Sequence, residues 1–117
     1  MQINGVELIF DIGSNSFIKR YDNAVLTFKE NMNSLPEGSE EFFDKLVPEL
    51  RLLIDTVWGD GVYDSLKLNP DRNDVHLDLM YDISDEMDRA QAEFSDRYQK
   101  RMAKYTPNRA QRRAKKK

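Results

Sequence analysis

Residues Asn73 to Tyr105 read NDVHLDLMYDISDEMDRAQAEFSDRYQKRMAKY, with neither Gly nor Pro. Apolar side chains fall at Leu77, Met80, Ile83, Met87, Ala90, Phe94, Tyr98, Met102 and Tyr105. Steps of three and four place them on one face of a helix. At 1.5 Å per residue that helix is about 50 Å long. A small domain is narrower than this, so part of the stripe projects from the body or meets another chain. We therefore expect a mainly α protein organised around one long C-terminal helix.

Upstream of that helix the chain divides at its glycines and prolines. Asn4-Gly5 sits between Ile3 and Val6. Both central residues of a two-residue hairpin turn need positive φ, which Asn and Gly tolerate. Val6, Leu8, Phe10 and Ile12 share one face, with Glu7 and Asp11 on the other and Ile9 breaking the alternation, which predicts a strand over 6–12. Ser14 or Asn15 can cap a first helix, carried by Phe17, Tyr21, Ala24, Val25, Phe28, Met32 and Leu35 and closed by Pro36 and Gly38. Ser39 opens a second helix, with Glu40 and Glu41 at its positive end. Its many apolar residues, from Phe42 to Trp58, predict a central position. Pro48 lies inside it, and a proline costs about 3 kcal/mol in a helix interior. A kink or two abutting helices are expected there. Gly59 ends the segment, a short helical stretch covers 62–68, and Asn69-Pro70-Asp71 turns into the long helix. Pro107 is expected to end it.

These elements suggest one helical domain over residues 1–106, with a small N-terminal β-hairpin packed on a helical bundle. A basic flexible tail over 107–117 follows. The composition agrees: 39% hydrophobic and 33% charged residues suit helices with wide polar faces. No apolar run reaches the length of a membrane span. The N-terminus lacks the basic and apolar regions of a signal peptide. There is no cysteine, which removes disulfides and thiolate metal sites. A cytoplasmic protein is the default.

Candidate chemistry is sparse. His76 is the only histidine and stands among acids, so a solvent-facing position is expected. Asp74, Asp78, Asp82 and then Asp85 or Glu86 form a ridge at helical spacing. A hard cation needs oxygens converging from several directions, and a ridge along a rod does not supply that. A solvated face, or a docking surface for basic segments, fits the pattern better. Trp58 suits a core anchor at a helix end more than a binding hot spot. Without a Gly-rich phosphate loop or a Ser/His/Asp set, neither catalytic nor cofactor residues are assigned. The chain reads as a non-enzymatic binding module.

Charge is unevenly placed. Arg109, Arg112, Arg113, Lys115, Lys116 and Lys117 give residues 107–117 a net +6, leaving −9 on the rest. Such a basic end can engage phosphate backbones. It carries no aromatics for base stacking, and the acidic body repels nucleic acid. Contact with an acidic protein surface, including a second copy, is the better match.

Three stretches carry a family resemblance: Ile3-Asn4-Gly5-Val6-Glu7-Leu8, Trp58-Gly59-Asp60-Gly61, and Tyr105-Thr106-Pro107-Asn108-Arg109-Ala110-Gln111-Arg112-Arg113. In this order and layout the chain resembles tail assembly chaperones of long-tailed phages and prophages of Gram-positive bacteria. The resemblance implies a protein of the host cytoplasm that is absent from the mature virion. It would bind the tape measure protein and help recruit tail tube protein. Partner-binding residues are expected at Phe94, Tyr98 and Met102 on the stripe and at Arg109, Arg112 and Arg113 at the basic end, in a homo-oligomer. The alternative reading is a small phage protein that binds nucleic acid or regulates the host through its basic end.

Overall fold

The computed structural model describes the backbone of residues 1–115 and the side chains of residues 1–105. Two short strands, β1 (Gln2–Ile3) and β2 (Val6–Glu7), pair antiparallel, with Gln2 opposite Glu7 and Ile3 opposite Val6. Asn4 and Gly5 both hold positive φ, 49° and 86°, as the tight turn requires. Four helices follow: α1 (Asn15–Met32), α2 (Glu40–Trp58), α3 (Val62–Ser65) and α4 (Asn73–Lys115). The fold is the expected one, mainly helical with a small hairpin packed on it and a long final helix.

The hairpin is shorter than its pattern suggested, since β2 ends at Glu7. Leu8 is fully buried while Ile9 points outward, so the alternation continues past the strand. Leu8 still exchanges main-chain hydrogen bonds with Met1, at 2.8 and 3.0 Å, and side-chain bonds add to them. The Trp58 indole N–H donates to the Ile9 carbonyl at 2.8 Å, and Asn4 Nδ2 donates to the Leu66 carbonyl at 2.8 Å. Phe10 packs edge-on against both Trp58 and Phe17. Trp58 is thus an anchor that joins the end of α2 to the N-terminal segment.

Ser14 and Ser39 cap α1 and α2, each hydroxyl accepting from the backbone N–H three residues on. The two helices run antiparallel, as Asn31 bonding Glu49 and Arg20 bonding the Val57 carbonyl require. Leu50, Leu53, Ile54 and Val57 of α2 meet Phe17, Tyr21 and Ala24 of α1 on one side, and Leu79, Ile83 and Met87 of α4 on the other. A smaller cluster of Met32, Phe42 and Leu46 extends the core toward the α1–α2 connection.

Pro48 lies within one unbroken helix, so of the two expected outcomes the abutting helices are absent. Leu46 and Leu50 on either side are buried, and their packing offsets the lost hydrogen bond. Pro48 and Asp44 are exposed, so water can solvate the carbonyl left unpaired. Pro107 does not end α4 either: the helix crosses the expected 106/107 boundary and continues to Lys115. Ala103, whose carbonyl loses its partner there, is exposed to water. The expected mobility of the basic end falls on residues whose side chains lie outside the described ones, and on Lys116 and Lys117, which lie wholly outside them.

Candidate partner-binding surface

The long helix has two halves with different surroundings. From His76 to Ala90 it lies on α2 and is buried along one face. From Gln91 to Tyr105 every residue is exposed. The molecule accordingly measures 69 × 33 × 22 Å, elongated well beyond a compact domain of its size.

On the projecting half the expected residues share one side. Phe94 and Tyr98 are 37% and 41% exposed, and their rings touch, with centroids 4.7 Å apart. Met102 and Tyr105 follow at 65% and 64%. Four large apolar side chains in four consecutive turns form a surface that water covers only at a cost, and such patches mark interaction sites. Arg109, Arg112 and Arg113 continue on the same helix backbone, but their side chains lie outside the described residues.

On the body the stripe is rotated from the expected one. The buried residues are His76, Leu79, Ile83 and Met87, while Leu77 and Met80 are only partly covered. Leu79 was missing from the expected stripe, and the solvent-facing position expected for His76 is incorrect: its side chain is 0% exposed. His76 lies three residues before Leu79 and seven before Ile83, so it takes the same inward face. Its Nδ1 sits 2.7 Å from the Arg72 carbonyl, which can only accept, so Nδ1 donates. Nε2 then accepts from the Tyr63 hydroxyl at 2.6 Å. Burial pushes the Tyr63 phenol up, partly countered by Arg51. Both ring nitrogens and the phenol are thus hydrogen-bonded, and the pair clamps α3 to α4. The spacing of His76, Leu79, Ile83 and Met87 carries the signal in the sequence, and it shows only if histidine is allowed on the apolar face.

A second feature was not anticipated. Between α1 and α4 lies an open apolar groove of about 230 Å³. Leu50 and Leu53 of α2 form its floor, Tyr21, Val25 and Phe28 one wall, and Met80 and Ile83 the other. It exists because α1 and α4 each pack on α2 without closing on one another. Sequence periodicity gives the faces of single helices but not the gap left between two of them.

The acidic ridge stands in solvent: Asp74, Asp78, Asp82 and Asp85 are exposed. Asp74 is paired with Arg72 at 2.6 Å, and that hydrogen bond, with the Val75 N–H, lowers its carboxyl to about 2. Among the described residues, no three His, Asp or Glu side chains come together as a metal site would need. Residues 1–90 hold eight Lys and Arg against nineteen Asp and Glu, a net −11. Residues 91–117 hold ten against two, a net +8. Charge therefore divides where burial ends.

Among the described residues no helix is long and apolar enough to cross a membrane. Compared with known proteins, residues 4–116 match the family of unknown function DUF6673. No curated protein and no solved structure is significantly similar to the chain.

Proposed function

We propose that this chain, which belongs to the family of unknown function DUF6673, is a non-enzymatic assembly chaperone that shields helical segments of a client through the projecting half of α4. One observation carries the reading. Phe94, Tyr98, Met102 and Tyr105 form an exposed apolar stripe on a helix that extends past the body. A helix binds another helix through this kind of spacing, and aromatic anchors dominate such interfaces. The sequence likeness to tail assembly chaperones of long-tailed phages names the client: the tape measure protein, with tail tube protein recruited afterwards. In that role the protein acts in the host cytoplasm and is left out of the finished virion.

Co-expression with a helical tape measure segment tests this. The pair should co-purify, should resist raised salt because the contact is apolar, and should separate when Phe94 and Tyr98 are both replaced by Ala. Retention of nucleic acid that vanishes as salt rises, with no client bound, would overturn the reading in favour of a nucleic-acid-binding protein acting through its basic end.

A further inference from the structure

We propose that the groove between α1 and α4 receives the projecting half of α4 from a second copy of this chain. The two copies form a two-fold dimer whose α4 helices run antiparallel. This rests on the reading of the stripe as a helix-binding surface and goes beyond it, since it names a receptor on the body and a resting state for the chaperone.

The groove is an apolar cleft of about 230 Å³, room for one or two large side chains set in from a helix lying along it. Two helices stand apart on a third, and the space between is apolar on three sides, with Leu50 and Leu53 beneath and Val25, Phe28 and Met80 flanking. A helix laid there completes a four-helix bundle. The chain's own projecting half does not reach it. That half continues the helix that forms one wall, without a break from Asn73 to Lys115, and a continuous helix does not turn back on itself. The occupant must come from another molecule.

Charge selects which molecule and which direction. The groove lies on the body, net −11, while the projecting half and basic end carry +8. Lys29 also lines the groove, and Asp22 and Asp88 act on Tyr21 of its wall. Their field is felt there: the Tyr21 phenol in the groove wall is raised by burial first, then by Asp88 and Asp22. Two projecting halves laid side by side would place like charges together. An antiparallel pair instead sets each basic half against the other copy's acidic half, twice over, in a self-complementary contact. Tyr98, Met102 and Tyr105 would then lie along the groove, one or two of them set in beside Met80. The same stripe is offered to clients, so self-docking protects it until a client helix displaces it.

The chain has no cysteine, so introduced thiols report the contact cleanly. Val25→Cys and Tyr98→Cys chains, mixed and mildly oxidised, should form a mixed disulfide dimer in much higher yield than either alone. Light scattering should give a dimer that loosens with salt, because exposed charges are screened over about 8 Å at physiological ionic strength. Val25→Arg and Tyr98→Ala should each weaken dimerisation by about tenfold or more. Mixing those two variants should recover dimers in part, since the mixed pair keeps one of its two contacts intact where each variant alone keeps neither; that recovery also shows that both are folded. A chain that stays monomeric at high concentration would overturn the inference. So would Tyr98→Cys alone cross-linking as readily as the mixture, which would mean that stripes pair with stripes. Client capture separates this from the function itself. Val25→Arg that still binds client but not itself supports the groove as a self-docking site. Self-docking without any client binding would remove the chaperone reading and leave the dimer standing.

Discussion

The two halves of α4 share one helix and one apolar face, yet they do opposite work. Ile83 and Met87 are 3% exposed and belong to the main core, while Phe94 and Tyr98, on the same face further along, meet water. Nothing local distinguishes them, since each is an apolar side chain at helical spacing. What differs is whether α2 lies beneath. The proximal half therefore contributes stability, while the projecting half leaves its apolar face to water, which is where the proposed function places binding.

Substitution to alanine should separate the halves by energy. Ile83→Ala removes a buried side chain and should lower unfolding free energy by about 2–5 kcal/mol in denaturant titration. If that loss were no larger than the loss at Tyr98, the division between core and surface would fail.

A smaller effect is expected at the clamp joining α3 to the proximal half. Tyr63→Phe leaves His76 Nε2 buried without its partner, and an unsatisfied buried group costs about 1–3 kcal/mol. Thermal melts of this variant should show the loss. A melt unchanged from the parent would mean that water, and not Tyr63, satisfies the imidazole.

Replacing Phe94 and Tyr98 together should change stability by only about 0.2–0.5 kcal/mol, the worth of a surface pair on a helix. The same double variant should lose its client. A cooperative collapse of the fold would instead transfer the projecting half to the core side of the comparison.

The smallest effect lies at the start of α4. Asp74 has its carboxyl lowered from 3.8 to about 2, first by the Arg72 hydrogen bond. A group depressed in the folded state stabilises above its unfolded value and loses that contribution as pH falls through the folded one. The Arg72–Asp74 pair should therefore hold from neutral pH down to about 4 and fade between there and 2. Asp74→Asn should lower stability slightly at neutral pH, flatten the acid limb of the stability curve in that window, and make no difference below about pH 2. The pair is exposed, so raised salt should shrink the difference.

Much of this architecture was legible in the residues. The Asn4-Gly5 turn, the serine caps, the Gly59 stop and the long final helix follow from local chemistry, because φ preferences and hydrogen bonds to neighbouring backbone act within a few residues. The apolar stripe was legible as far as its spacing went. Propensity alone does not decide whether Pro48 divides α2, because it is a local cost of a few kcal/mol, which packing around Pro48 offsets. His76 was misread because polarity was assigned by residue type, whereas burial depends on having partners, and Tyr63 and the Arg72 carbonyl supply them.

By itself the sequence determined the elements, their caps and turns, and that one helix carries more apolar surface than a small body can cover. Only the tertiary structure decided where along that helix the cover stops, that His76 turns inward, and that α1 and α4 stand apart to leave a groove. Those outcomes depend on how three helices divide the surface of α2 among them, a competition between residues far apart in the chain that no local period records.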